Sequence, residues 1–195
     1  MASPIRSPQP QRPSGLGYLG PRGEPKSIEA SYRGVNPNYW KGIKWRENCQ
    51  RVVFAYEMSR RGYDVEARER LYNGDTLPYA YDRQGWMAVF KDMLKQEVRI
   101  TSVNEHDQVV RQMTKWGTGA RAIVHVRWAG TNSGHVFNAE VLPNGSVVFV
   151  DAQIGRQINL NGYLDKAAKG ETTLVRVDNL EPTELLRKCV KRKGT

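Results

Sequence analysis

The chain has only two cysteines, Cys49 and Cys189, among its 195 residues. Two thiols are too few for the disulfide framework that stabilises many small secreted domains. The cysteine content therefore indicates a reducing compartment. For each cysteine it leaves two roles open, thiol chemistry or an inert place in the core.

Long apolar runs are missing as well. No stretch of about 18 or more apolar residues occurs, so we expect no membrane contact through a spanning helix. The N-terminal stretch "MASPIRSPQPQRPSGLGYLGPRGEPK" lacks the apolar centre of a secretory signal. The expected location is the cytoplasm.

Two common kinds of ligand site lack their sequence signatures. No pair of Cys and His residues has the spacing of metal ligands, so we expect no metal. No glycine-rich phosphate-binding loop follows a predicted strand. We therefore expect no cofactor.

Positive charge is abundant, with a formal net charge of +10 and a sequence pI of about 9.7. Such a balance permits contact with nucleic acid or with an acidic surface. Part of it is concentrated at the C-terminus, in Arg187, Lys188, Lys191, Arg192 and Lys193. These residues predict either a docking patch or a solvated helix end that complements the helix dipole.

Composition divides the chain into two parts. Residues 1–35 are rich in Pro, Gly, Ser and Arg and contain few apolar side chains. Such a segment buries too little surface to offset its chain entropy, so we predict a disordered linker. The Asn36-Pro37 turn signal marks the start of a single domain over residues 36–195.

Within this domain the hydrophobic period changes from helical to that of strands. The period predicts helices over 48–61, 82–95 and 105–117, strands over 120–128, 134–142, 146–153 and 172–180, and a closing helix over 181–191. Helices followed by antiparallel strands indicate an α+β fold.

The first predicted helix begins with Cys49 directly after Asn48. Asn48 is a favourable N-cap, since its side chain can accept from an unpaired amide of the first turn. A thiol at a helix N-terminus lies in a field that favours its anion. Gly62 is the expected left-handed stop after the last turn.

A hairpin decides whether two other polar residues meet. A two-residue Asn-Gly loop places His135 and Asp151 on opposite faces of the sheet. A three-residue loop, Pro143 to Gly145, makes Asp151 the diagonal neighbour of His135 on one face, within reach of a side-chain hydrogen bond. We prefer this loop, because Pro143 suits the first corner and Gly145 the left-handed position.

Cys49, His135 and Asp151 are the three parts of a thiol nucleophile system. The imidazole takes the thiol proton and returns one to a leaving group, and the carboxylate orients the imidazole. The amide of Cys49 and Asn48 are candidate oxyanion donors, and Gln153 could assist orientation. The alternative is that the three residues have no catalytic role: Cys49 is a small buried thiol, His135 a surface residue and Asp151 the end of a strand.

Three stretches, "NCQRVVFAYEMSRRGYDVEA", "GHVFNAEV" and "VVFVDAQIG", together resemble the papain-fold toxin family of glutamine deamidases. Its members occur in bacterial polymorphic toxins and in phage minor head (Mu F-like) proteins. The resemblance runs from about Asn36 to Cys189 and implies a papain-like cysteine-peptidase fold. Family members often read "NCQRCVVAYE", whereas this chain has Val52 at the second cysteine. Only Cys49 can then be the nucleophile.

The resemblance implies His135 as the base, Asp151 as its acid partner and Gln153 as the adjacent residue of a "DAQ" motif. It further implies attack of Cys49 on a glutamine side chain of a target protein through a thioester, with ammonia released and glutamate formed. The resemblance is compatible with a cognate immunity protein, and with either packaging in a phage particle or secretion by a nonclassical route. A papain-like protease or deubiquitinase, a transglutaminase, and a noncatalytic phage-head module that binds nucleic acid through the basic C-terminus are the alternatives.

Overall fold

A computed structural model describes residues 15–72 and 83–195. Its helices are α1 (Ile28–Gly34), α2 (Ile43–Arg46), α3 (Cys49–Arg60), α4 (Arg83–Trp86), α5 (Glu105–Trp116) and α6 (Leu160–Leu164). Its strands are β1 (Val65–Ala67), β2 (Glu97–Arg99), β3 (Arg121–Arg127), β4 (Gly134–Val141), β5 (Val147–Asp151), β6 (Arg156–Ile158), β7 (Thr173–Arg176) and β8 (Val190–Arg192).

A six-stranded antiparallel sheet forms the centre, in the order β2-β7-β3-β4-β5-β6, and β1 pairs separately with β8. Side chains alternate between the two faces of each strand. Val136 of β4 therefore joins the apolar cluster around α3, whereas Phe137 and Ala139 join a second cluster that contains residues of α5 and α6. Most of the helical segments precede the long strands, so the predicted α+β class is confirmed.

Helix α3 lies at the centre of the first cluster and is buried from Gln50 to Ser59. It ends in a Schellman motif, in which Tyr63 N–H donates to Met58 O at 3.1 Å and Gly62 N–H donates to Ser59 O at 3.0 Å. Gly62 has a φ of +96°, as predicted, and a Cβ there would lie 2.1 Å from the carbonyl oxygen of Gly23. Only glycine fits this position.

Two buried carboxylates tie α3 to the sheet. Glu57 of α3 accepts hydrogen bonds from Arg121 of β3, at 2.7 and 2.8 Å, and from Arg61 at 2.7 Å. Glu140 of β4 accepts a hydrogen bond from Tyr56 of α3 at 3.0 Å. These contacts fix the helix on the sheet and so fix the position of the helix start.

Replacing Glu57 by alanine leaves Arg61 and Arg121 without their carboxylate in a largely buried setting. We expect the free energy of unfolding to fall by about 3–5 kcal/mol, measured by denaturant titration. Glu29→Ala is the control, because Glu29 pairs with Arg33 on the exposed surface. That change should cost less than about 1 kcal/mol. Equal losses of unfolding free energy in the two variants would show that the buried ion pairs of Glu57 stabilise the fold no more than an exposed pair does.

The β4–β5 hairpin has the preferred three-residue loop. Val141 pairs with Val147, and Leu142 N–H donates to Ser146 O at 2.8 Å. Gly145 has a φ of +83°, the left-handed conformation that such loops need. The register on which the contact between His135 and Asp151 depends is therefore confirmed.

The predicted helix over 82–95 is wrong as a continuous element, although Asp82 itself lies outside the described residues. After α4 the chain bends, and a short 3-10 helix follows over Met93–Gln96. Backbone groups of 89–91 bond instead to 181–183, through Lys91 N–H to Glu181 O at 2.8 Å and Thr183 N–H to Val89 O at 2.9 Å. Pairing with a distant segment replaces the helical bonds.

The predicted closing helix is also wrong in part. Thr183 caps a 3-10 helix over Glu184–Lys188, and its hydroxyl accepts from Leu185 N–H at 3.3 Å. The chain then turns into β8, which pairs with β1 from Val190↔Ala67 to Arg192↔Val65. The apolar pattern that indicated a helix face instead fills the core from the 3-10 helix, its C-cap and the strand, through Leu186, Cys189 and Val190.

The structure shows residues 15–35 folded against the domain, where the sequence predicted a disordered linker. Leu16, Leu19 and Val35 are buried in the cluster around α3. Helix α1 is capped by Ser27, whose hydroxyl accepts from Ala30 N–H at 3.1 Å. These few apolar residues suffice because the folded domain already offers them a surface. Residues 1–14 lie outside the described part of the chain.

Across 15–72 and 83–195, no helix has the length and apolar character needed to cross a membrane.

Candidate active site

Cys49 is the first residue of α3 and is half-buried. Its thiol is hydrogen-bonded to the side chain of His135 and to the backbone N–H of Val136. The N-terminus of a helix carries a partial positive charge, which also favours an anion at the sulfur. The sulfur therefore lies among donors that favour its anion.

His135 is the second residue of β4, near the end of the sheet. Its Nε2 lies 2.7 Å from Oδ2 of Asp151 at the end of β5. This contact is the diagonal pair that the three-residue loop creates. Because Nε2 is used by Asp151, Nδ1 is the nitrogen left for Cys49, and the three side chains form one hydrogen-bonded line.

The pKa values of the three groups shift together. Burial raises the pKa of the Cys49 thiol, but the hydrogen bond and charge of His135 outweigh burial, and the net pKa is below the ordinary thiol value of 9.0. Burial lowers the pKa of His135, but the hydrogen bonds to Asp151 and Cys49 prevail and raise it to about 10. Burial raises the pKa of Asp151, yet His135 and Tyr163 lower it overall. At neutral pH these directions favour a thiolate, an imidazolium and a carboxylate.

Aromatic side chains surround the imidazole. Trp128 lies nearly parallel to His135, with ring centroids 6.2 Å apart and an interplanar angle of 13°. The hydroxyl of Tyr163 donates to Asp151 Oδ2 at 2.7 Å, and its ring lies 5.8 Å from His135. The rings shield the pair of His135 and Asp151 from water, which strengthens the hydrogen bond between them.

Sequence reasoning missed both aromatic residues. Trp128 had a usable signal, because Val126 pairs with His135 and Trp128 lies two residues further on the same side, just past the end of β3. Tyr163 had none, since only the packing of α6 brings it to β5.

Asn48 and Gln153 lie beside the site in a buried amide network with Asn36. Asn48 Nδ2 donates to Asn36 Oδ1 and to Arg68 O, both at 3.1 Å, and Gln153 Nε2 donates to Asn48 Oδ1 at 3.3 Å. The predicted side-chain cap by Asn48 is wrong, because its amide is used in this network. The Gln153 backbone N–H donates to Asp151 Oδ1 at 3.1 Å. The network thus joins the start of α3 to the residues that follow β5.

A cleft of about 510 Å³ opens beside His135 and Asp151. Its lining comprises Trp128, Ala129, His135, Asp151, Gly162, Tyr163 and Lys166. Within 15–72 and 83–195, no group of three or more His, Cys, Asp or Glu residues could hold a metal ion. The chemistry that this arrangement supports is nucleophilic attack by a thiolate with proton transfer through an imidazole.

A cysteine at a helix N-terminus, bonded to a histidine of an antiparallel sheet, is the arrangement of papain-like cysteine enzymes. The model of the family described as papain fold toxin 1, glutamine deamidase, matches residues 47–156, more than half of the chain, and the chain belongs to this family. Cys49, His135 and Asp151 all fall inside the matched region, as do Asn48 and Gln153. Tyr163 and Lys166 lie beyond it. No curated protein matches the chain.

Proposed function

We propose that this chain is a cysteine-dependent amidohydrolase, a protein glutamine deamidase that acts as a toxin or effector. The observation that carries the proposal is the hydrogen-bonded line from Cys49 through His135 to Asp151, of which His135 and Asp151 line an open cleft. The proposed site of action is the cytoplasm of a target cell, and an immunity protein in the producer belongs to the same proposal.

In the proposed reaction the thiolate of Cys49 attacks the carbonyl carbon of a glutamine side chain, and a carbon–sulfur bond forms. Negative charge develops on the carbonyl oxygen, where the Cys49 backbone N–H can donate to it. His135 gives its Nδ1 proton to the leaving nitrogen, the carbon–nitrogen bond breaks, and ammonia leaves a thioester. His135 then takes a proton from a water that attacks the thioester. The carbon–sulfur bond breaks, glutamate leaves, and the Cys49 thiolate and the imidazolium are restored.

Asp151 holds Nε2–H of the imidazole, so that Nδ1 faces the sulfur throughout this cycle. In this proposal Asn48 and Gln153 are positioning residues. Asn48 is wholly buried, and its amide is bonded to Asn36 and Arg68 rather than directed at the cleft. The Cys49 amide is the oxyanion donor that the proposal retains.

Exposure of a host-cell lysate to the wild-type protein and to Cys49→Ala, followed by mass spectrometry, tests the outcome of the reaction. A deamidase converts one glutamine of an intact target to glutamate, a one-dalton gain that the variant does not produce. Peptide cleavage would identify a protease or deubiquitinase, and amine addition or cross-linking would identify a transglutaminase. The same products from both proteins would contradict a cysteine mechanism.

The basic C-terminus is used within the fold. Lys191 pairs with Glu66 at 2.9 Å, Lys193 lies 3.8 Å from Asp64, and Arg187 pairs with Glu184 at 3.0 Å. We therefore propose no nucleic-acid or phage-head contact for these residues.

A further inference from the structure

We propose that Lys166 and Arg156 make the cleft selective for a target glutamine that lies in an acidic segment of a protein. The inference rests on the proposed deamidase function and names its substrate class. Among the described residues, these two cations have no side-chain partner, and the carboxylate that lines the cleft is already hydrogen-bonded.

Lys166 lines the cleft directly and its side chain is exposed. Its backbone is held on both sides, because its N–H donates to Tyr163 O at 3.1 Å and its carbonyl accepts from Ala129 N–H at 2.9 Å. These bonds fix the start of the side chain between two residues of the cleft wall. The flexible side chain therefore starts from a fixed position in the cleft wall.

Arg156 approaches from the neighbouring strand. It is the first residue of β6, its Cα partner on β5 is Asp151, and its side chain is exposed. Its charge also reaches Tyr163: burial and the charge of Asp151 raise the pKa of that phenol, and Arg156 acts in the opposite direction. Because its strand partner Asp151 lines the cleft, Arg156 starts directly beside the cleft wall.

No acid neutralises these two cations in the part of the chain that the structure describes. Asp151 is 2% exposed and accepts from His135, Tyr163 and the Gln153 backbone. Asp165 is adjacent to Lys166 in the chain, but it lines a different cleft. Within 15–72 and 83–195, neither cation has a hydrogen-bond or ion-pair partner for its side chain.

The segment that precedes Cys49 in the chain is also positively charged. Lys41, Lys44 and Arg46 lie in the short helices before Cys49, and Trp40 is 81% exposed beside them. A substrate segment that extends from Cys49 along these helices meets further positive charge.

Three short peptides with one central glutamine, flanked by Glu, by Ser or by Lys, test the selectivity on the wild-type protein. The measurement is ammonia release, expressed as kcat/KM. An exposed charge contact changes an equilibrium by up to about fivefold, so we expect the Glu peptide to exceed the Ser peptide by about fivefold and the Lys peptide to be slowest. The order should fade in about 0.5 M salt, where screening is strong.

Lys166→Glu and Arg156→Glu should flatten or invert this order. Lys115→Glu is the matched control, because it makes the same charge change at the end of α5, next to the start of β3 rather than its cleft end. Equal rates for the three peptides in the wild type would overturn the inference. An equal effect of the Lys115 control would do the same, since it would reduce the effect to net charge.

Binding of the same peptides to Cys49→Ala separates the inference from the proposed function. If no peptide releases ammonia but the Glu peptide binds tightest, and loses this preference in the Lys166 and Arg156 variants, charge selectivity stands while deamidation fails. Equal binding of all three overturns the selectivity itself. A single-stranded oligonucleotide that binds more tightly than the Glu peptide, and needs the same two cations, assigns them to phosphates and also overturns it.

Discussion

Cys49→Ala is expected to reduce ammonia release from a glutamine-rich protein such as casein by about 10⁴- to 10⁶-fold in kcat, because the nucleophile is lost outright. Without the sulfur no thioester forms, and the remaining reaction requires direct attack of water on the amide. The variant should fold normally, since Cys49 is only half-buried and its removal leaves the contacts of α3 with the sheet intact. Circular dichroism verifies the fold.

Cys189→Ala is the matched control for this prediction. Cys189 is fully buried in the cluster around α3, and it lies in none of the contacts of the site. The control should lose some stability from the small cavity and keep its turnover per folded molecule. Turnover that survives in Cys49→Ala, or disappears only in Cys189→Ala, would mean that the reactive sulfur has been assigned to the wrong residue.

Asp151→Asn is expected to lower kcat/KM by about 10³- to 10⁴-fold, the size seen when a triad loses the carboxylate that fixes its histidine. The reason is geometric and electrostatic together. An amide can present N–H to Nε2 and so favour the wrong tautomer, and it also removes the negative charge that helps to hold His135 protonated.

The pH profile of Asp151→Asn shows in which direction Asp151 shifts the pKa of His135. In the wild type, kcat/KM should rise with pH as Cys49 deprotonates, because the pKa of this thiol is lowered. It should fall again as His135 loses its proton, because the pKa of His135 is raised to about 10. Without the charge of Asp151 the pKa of His135 falls, so the alkaline limb should move to lower pH. Asp178→Asn is the control, because Asp178 pairs with Arg176 at 3.0 Å, outside the site. An unchanged alkaline limb in Asp151→Asn would contradict the assigned role.

Local signals in the sequence favoured the positions that bring together Cys49, His135 and Asp151, the three proposed catalytic residues. The order Asn48-Cys49 before an apolar period predicted a helix start, and Pro143-Asn144-Gly145 predicted the loop that fixes the hairpin register. Both features are set by residues close in sequence, through helix period and turn geometry. The register alone then brings Asp151 to His135.

Contacts between distant segments account for what the sequence did not predict. The strand at 190–192 exists because β1 offers it a partner, and the helix expected over 82–95 is broken because 181–183 bonds to its backbone. Asn48 was expected to cap α3, but Asn36 and Gln153 compete for its amide from 12 and 105 residues away. Tyr163 reaches Asp151 only through the packing of α6. No local pattern encodes these choices.

The pH dependence of Cys49 alkylation by iodoacetamide, followed by peptide mass spectrometry, tests the central claim most directly. A thiolate held by His135 should label at nearly the same rate from about pH 8 down to about pH 6, while Cys189 stays unlabelled in the folded protein. His135→Ala should restore an ordinary thiol profile. If Cys49 of the wild type instead labels about tenfold more slowly with each unit of pH below its usual range, it is an ordinary thiol, and the proposed ion pair does not exist.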